Sequence, residues 1–158
     1  KASHGVLVEG EGGYLVRLAR CCNPIPGDPI TGYITRGRGV SVHRSDCPNV
    51  LNDTEFTRVI EVSWDIGLDK DYIVGIEIIC NDRNGMLAEL LAVPAEMKVN
   101  IHTVNATPNR RNKTSTVLLG LNVSNIDQVT QVMTKMRLLK DVYRVTRTIG
   151  SSALPSGD

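Results

Sequence analysis

Residues 72–80 (YIVGIEIIC) carry a single charged side chain and place apolar residues on both faces of an extended chain. A strand of that kind belongs at the centre of a sheet, with cover on each side. The residues that follow narrow the choice further. After the turn residues Asn81 to Gly85, apolar residues recur at Leu87, Leu90, Leu91 and Met97, a helical stripe. Residues 100–107 read as a strand, 108–113 as a polar hairpin loop, and 115–123 as a strand alternating through Ser115, Val117, Leu119, Leu121 and Val123. A second helix starts at Asn125 or Asp127 and gathers Ile126, Val129, Val132, Met133, Met136 and Leu139 on one face. Residues 142–149 close the pattern as a strand. The order βαββαβ is the ferredoxin-like split unit. Pro94 falls inside the first helical stripe, where it deletes a backbone hydrogen bond at a cost of about 3 kcal/mol. The helix should kink there, or end and restart.

The first half has another texture, rich in Gly, Pro and Cys. Short strands are expected at 5–8, 14–18, 30–35, 39–42 and 58–64, separated by Gly and Pro clusters such as 24–29. A short helix should follow Ser45, with Asp46 as its N-cap and Pro48 in its first turn. The fold class is α+β: a small, mostly β unit over residues 1–66, a ferredoxin-like unit over 67–150, and a disordered tail at 151–158. The first residue is Lys rather than Met and the tail is small and polar, so the chain is expected to be a fragment of a longer protein. Aromatic residues make up only 4%, so both cores must be built from Val, Ile and Leu. Through Asp69 there are seven Lys/Arg against nine Asp/Glu, and from Lys70 eleven against eight. That balance excludes a generally basic coat but leaves room for a local basic patch. No apolar run approaches the ~18 residues of a membrane span, and no signal peptide is visible. No membrane partner is expected.

Four cysteines stand at 21, 22, 47 and 80. Adjacent cysteines bridge each other only with strain, so reduced thiols and a cytoplasmic location are expected. Cys21 and Cys22, with His43 and Cys47 further on, form Cys-Cys…His-x3-Cys, a set of four donors of the kind that zinc takes in a tetrahedron. A structural metal would also explain how so small a β unit stays folded. Two other readings remain open at this point. In one, Cys21 packs in the core, Cys22 is a free thiol and His43 faces solvent. In the other, Cys21 or Cys22 is a catalytic thiol activated by His43. Asp46 could replace a cysteine as an oxygen ligand, and Cys80, ending an apolar strand, reads as a buried thiol.

Beside these residues, Arg36, Arg38 and Arg44 lie close in sequence around glycines, with Tyr33 as the nearby aromatic. Arginines fork onto phosphates and a Tyr can stack on a base, so this is a candidate RNA-binding hairpin; a solvated hairpin is the plainer alternative. The loop Asn81, Asp82, Arg83, Asn84, Gly85, Met86, Leu87 opens the first helix of the second unit. Free N–H groups there could seat a carboxylate while Asp82 accepts from an ammonium group, which suits an amino acid. A simple N-cap explains the same residues. No paired-carboxylate site and no phosphate-cradling loop with catalytic Lys or Arg is present, so no catalytic residue is assigned.

The segment from Cys21 to Asn49 (CCNPIPGDPITGYITRGRGVSVHRSDCPN) closely resembles the regulatory end of the long RelA/SpoT (Rel) stringent-response enzymes. Those proteins make, and often hydrolyse, (p)ppGpp. The second half resembles an ACT domain, with 81–87 and Asn100, Ile101 and His102 in the expected places. The resemblance implies a zinc-finger or RIS domain whose metal positions are Cys21, Cys22, His43 and Cys47, holding a structural zinc ion. It implies contacts with ribosomal RNA and an uncharged tRNA, so that Arg36, Arg38 and Arg44 gain weight as RNA ligands. For the ACT half it implies homodimerisation and sensing of valine, isoleucine or leucine, with residues 81, 82, 84–87 and 100–102 as the amino-acid site. The chain itself is then a regulatory fragment, not an enzyme, of a GTP pyrophosphokinase or (p)ppGpp hydrolase.

Overall fold

The computed structural model describes residues 4–35, 39–52, 58–65 and 71–148. They fall into two compact units, the first running to Lys70 and the second from Asp71 to Thr148. The expected boundary at 66/67, the tail 151–158, Arg36 and Arg38 lie outside the described residues.

In the first unit β1 (Val6–Val8), β2 (Leu15–Leu18), β3 (Ile30–Ile34), β4 (Gly39–Arg44), α1 (Pro48–Leu51), β5 (Val59–Ile60) and β6 (Val62–Trp64) follow in order. A four-stranded sheet runs β2-β4-β3-β5, and β1 pairs with β6 as a separate ribbon. The strand expected over 58–64 is therefore two. Its first part ladders with β3 and its second with β1, and the break falls at Glu61, whose carbonyl accepts the Glu9 N–H at 2.8 Å. Alternate residues of the strands, Val6, Val8, Val16, Val40 and Val42, form the buried core, with Ile60, Val62 and Trp64 packed against it. The pairing of β2 with β4 is parallel, with Leu18 opposite Val42. Both strands therefore end at the same edge of the sheet, and this brings the two halves of the cysteine motif together.

The second unit comprises β7 (Tyr72–Asn81), α2 (Met86–Glu96), β8 (Asn100–Asn109), β9 (Thr114–Val123), α3 (Ile126–Arg137) and β10 (Val142–Arg147). Its antiparallel sheet has the order β10-β7-β9-β8, the ferredoxin-like arrangement expected from the βαββαβ pattern. Right-handed crossovers put both helices on one face of such a sheet. Consequently Val74, Ile76, Ile78 and Cys80 are buried beneath them, whereas Glu77 and Ile79 on the other face are only half-covered. The expectation that β7 is covered on both sides is corrected accordingly.

The buried stripe of α2 is Met86, Leu90, Val93 and Pro94; Leu87, expected inward, is 38% exposed. The helix runs through Pro94 without a break. Proline falls in the last turn, where the lost N–H removes one bond only, and its carbonyl accepts the Val99 N–H at 2.9 Å. Lys98 at φ 60° donates to the Ala95 carbonyl, and the two bonds form a Schellman stop. Asn125, not Asp127, caps α3: its Oδ1 accepts the Gln128 N–H at 3.2 Å, and Gln128 Oε1 accepts the Ser124 N–H at 2.7 Å. Strand β8 extends through Pro108, expected in the loop. As the edge strand of the sheet it can hold a residue without an N–H. Among the described residues no helix is long and apolar enough to cross a membrane.

Candidate metal centre

The chain leaves β2 through a turn in which the Asn23 N–H donates to the Ala19 carbonyl at 2.9 Å. Successive side chains on such a helical turn diverge by about 100° instead of pointing to opposite faces as in a strand. Adjacent Cys21 and Cys22 can therefore face one point. From the other side, His43 lies near the end of β4 and Cys47 caps α1. Cys47 takes the N-cap position expected of Asp46; Pro48 then occupies the first helical position, and the Asp46 carboxylate is held instead by Arg44 at 2.7 Å. Asp46 is not one of the clustered donors.

Cys21 Sγ lies 3.5 Å from Cys47 Sγ and 4.0 Å from Cys22 Sγ. His43 Nδ1 is 3.3 Å from Cys21 Sγ and 3.7 Å from Cys22 Sγ. All four donor atoms fall within 4.8 Å of one another. A tetrahedral ion with metal–sulfur bonds of about 2.3 Å and a metal–nitrogen bond of about 2.05 Å requires edges of about 3.8 Å (S···S) and 3.6 Å (S···N). The measured separations straddle those values, so the donor set fits such an ion. They are also far longer than the ~2.05 Å of a disulfide, and all four cysteines of the chain are free. Cys22 and Cys47 are buried with Ala19, Val50 packs against them, and Cys21 is half-exposed.

Burial pushes the Cys22 thiol up to about 12, a rise that the neighbouring Cys21 and Cys47 add to and the Arg44 N–H, donating to Cys22 Sγ at 3.2 Å, opposes. A nucleophilic thiol needs the opposite shift, so the geometry does not support a catalytic Cys22. Burial also holds His43 below its ordinary value, leaving the ring neutral at pH 7 with a lone pair to donate. The alternative in which His43 faces solvent and Cys22 stands apart as a free thiol is corrected by these distances. Cys80, as expected, is a buried thiol, in the second unit, 3.6 Å from the Ser115 carbonyl.

Two residues that the sequence reading did not single out support the centre. Asp28 is 6% exposed; its Oδ2 accepts the Ile25 N–H at 2.8 Å, and its carbonyl accepts the Trp64 indole N–H at 2.9 Å. This closes the Pro-rich loop that follows the cysteines onto the core. Of the expected RNA ligands, Arg44 is ion-paired to Asp46 with its side chain only 13% exposed, so it offers little to a phosphate. Tyr33 packs edge-on against His43, with ring centroids 5.8 Å apart.

In the second unit the expected amino-acid loop opens α2 through Gly85 at φ 84°, with no side-chain cap. Asp82, Asn84 and Leu87 are exposed, Asn81 is half-buried, and Met86 is buried in the core. Arg83 fills much of the space beside the loop, bonding Asp141 at 2.7 Å and Glu89 at 2.9 Å. Asn100, Ile101 and His102 begin the edge strand β8, where a register shift between Ile101 and Thr103 leaves His102 exposed on a bulge.

A β unit with a three-cysteine, one-histidine centre, joined to a ferredoxin-like unit, is the pairing of an RIS domain with an ACT domain. The family model described as the RelA/SpoT RIS domain matches residues 6–65, and that described as the ACT domain matches residues 68–147. The chain belongs to the RelA/SpoT family. It is 34% identical over 148 residues to the GTP pyrophosphokinase of Escherichia coli K12 and 39% identical over 143 residues to that of Myxococcus xanthus, matches covering 92% and 90% of the chain. It spans about a fifth of the length of those relatives, 20% and 19%. Among solved structures it is similar to the ACT domain from GTP pyrophosphokinase of Chlorobium tepidum, with 30% identity, a TM-score of 0.45, and coverage of 50% of this chain and 100% of that one.

Proposed function

We propose that this chain is a regulatory, non-catalytic part of a stringent-response (p)ppGpp synthetase/hydrolase, acting in the cytoplasm. Its first unit, folded around a structural zinc ion, binds ribosomal RNA and uncharged tRNA and reports their state to distant catalytic domains. The observation that carries this reading is the four-donor centre in an RIS-type unit. The centre anchors the far end of the β3–β4 hairpin, whose turn bears Arg36 and Arg38. Three sulfurs and one imidazole are a borderline-soft donor set that suits zinc. Relatives named GTP pyrophosphokinase support the regulatory assignment. The test is co-sedimentation with ribosomes over a range of salt. Arg36→Ala with Arg38→Ala should weaken binding and flatten its salt dependence. Unchanged binding by the double variant rejects the hairpin's role.

A second reading concerns the ACT unit, as a homodimerising sensor of valine, isoleucine or leucine. It is favoured by the uncapped start of α2 at Gly85, whose N–H groups are open to a carboxylate, and by the exposed edge strand β8. Calorimetric titration with the three branched amino acids, with glycine and glutamate as controls, tests it. Saturable heat from the branched set alone supports a sensor. No heat at millimolar ligand, in folded protein, leaves the ACT unit as a packing or dimerising element.

A further inference from the structure

The tip of the β8–β9 hairpin gathers Arg110, Arg111 and Lys113 within four positions, and all three are exposed. Among the described residues none of the three takes part in an ion pair. A flexible loop would spread such charges, but this one is braced by side-chain bonds. Asn109 Oδ1 accepts the Arg111 N–H at 3.1 Å. Asn112 Oδ1 accepts both the Thr114 N–H at 3.2 Å and the Thr114 hydroxyl at 2.6 Å. Lys113 holds φ 58°, and its carbonyl accepts the Asp82 N–H at 2.8 Å. Asp82 is thus the acid that the backbone brings beside the loop, and its carboxylate pairs with none of the three cations. The two asparagines therefore hold three unneutralised cations on a rigid stalk formed by the two longest strands of the sheet.

We infer that this hairpin tip is a docking point for the phosphodiester backbone of RNA, separate from the β3–β4 hairpin of the first unit. The argument is charge complementarity: arginine forks onto phosphate oxygens, and three cations with no acidic partner match a polyanion. A membrane surface is the poorer partner, because residues 109–114 are all polar or charged and offer no apolar side chain to enter a bilayer. The inference relies on the RNA-binding reading above only for the kind of polymer and extends it to the ACT unit. Contacts of this type give affinity without base specificity.

The test is fluorescence anisotropy with a labelled oligouridine strand and with a short RNA duplex, comparing the unaltered chain with Arg110→Gln/Arg111→Gln/Lys113→Gln. Asn109 and Asn112 are retained, so the loop keeps its bracing, and circular dichroism checks the fold. Three lost phosphate contacts should flatten the slope of log affinity against log salt by about 2 to 3. Between about 50 and 200 mM salt, the unaltered chain should therefore lose roughly 20- to 40-fold more affinity than the triple variant. An unchanged slope and affinity in the triple variant overturns the proposal. Binding to phosphatidylserine vesicles without binding to either RNA overturns it in favour of a membrane surface. Arg36→Ala/Arg38→Ala runs beside it as the separate arm. If only that double variant loses RNA, the hairpin proposal falls and the first unit's role stands. If only the triple variant loses RNA, the reverse holds. No binding of either RNA by the unaltered chain overturns both.

Discussion

Removing the metal from the cysteine centre should melt the first unit and leave the second standing. The core of the first unit holds five fully buried side chains, all of them valine, and the metal donors form a separate small cluster with Ala19 and Val50. A unit of about 60 residues has a net stability of roughly 3–9 kcal/mol at 0.05–0.15 kcal/mol per residue. An ion present at about a thousandfold its dissociation constant contributes about 4 kcal/mol by mass action, and structural zinc sites reach more. Chelation therefore removes half or more of the margin, and at 4–8 °C per kcal/mol it should lower the first melting transition by about 16–32 °C. The second unit has its own buried cluster on the other side of Asp71 and should melt unchanged. Differential scanning calorimetry with and without chelator, on protein carrying one zinc per chain by elemental analysis, reads both transitions at once. The pH dependence of the metal-free chain gives an internal check. Burial raises the Cys22 thiol from an ordinary 9.0 to about 12. Its contribution is fully present below pH 9 and is lost as pH rises towards 12, because the unfolded chain ionises first. With metal bound the thiolate is already formed, and that alkaline loss should disappear. A first transition unmoved by chelation would refute the assignment of the centre as structural.

Three further outcomes follow from the packing. Gly32→Ala should lower the first transition by about 1–3 kcal/mol, because a Cβ there would stand 2.5 Å from Val62 Cγ1 and 3.0 Å from the Ile60 carbonyl; an unaltered melting point would mean that β5 and β6 yield. Asn125→Ala should cost the second unit about 1 kcal/mol by uncapping α3, read in urea denaturation, with Asp127→Ala as the variant expected to have the smaller effect. Arg83→Met should remove part of the acid sensitivity of the second unit. Its hydrogen bonds hold the Glu89 carboxyl below the ordinary 4.5, so Glu89 contributes stability above that pH and loses it as pH falls below. Equal acid-melting curves for the variant and the parent would show that this exposed pair does nothing measurable.

The elements of the second unit were legible because periodicity reports which faces are wet. The stripes of α3 and the alternation of β9 carried enough positions to average out single exceptions. Leu87 and Pro108 were misplaced for complementary reasons. A leucine signals burial only if the helix is rotated to receive it, and a proline signals a loop only if its neighbour strand needs its N–H. Both are properties of the assembled sheet. The segment 58–64 read as one strand because its alternation is continuous across Glu61; nothing local announces that its two halves pair with different partners.

At the metal centre the sequence alone supplied the donor types, Cys21, Cys22, His43 and Cys47, and the small, glycine-rich unit that needs a staple. It argued weakly for their meeting, since adjacent cysteines diverge in a strand. Tertiary structure decided that point twice over. The helical turn after β2 aims both thiols to one side, and the parallel pairing of β2 with β4 brings that turn to His43. Spacing along the chain records which atoms can bind a metal. Which of them converge depends on strand direction and register, and those are set by long-range ladders and core burial that no single segment encodes.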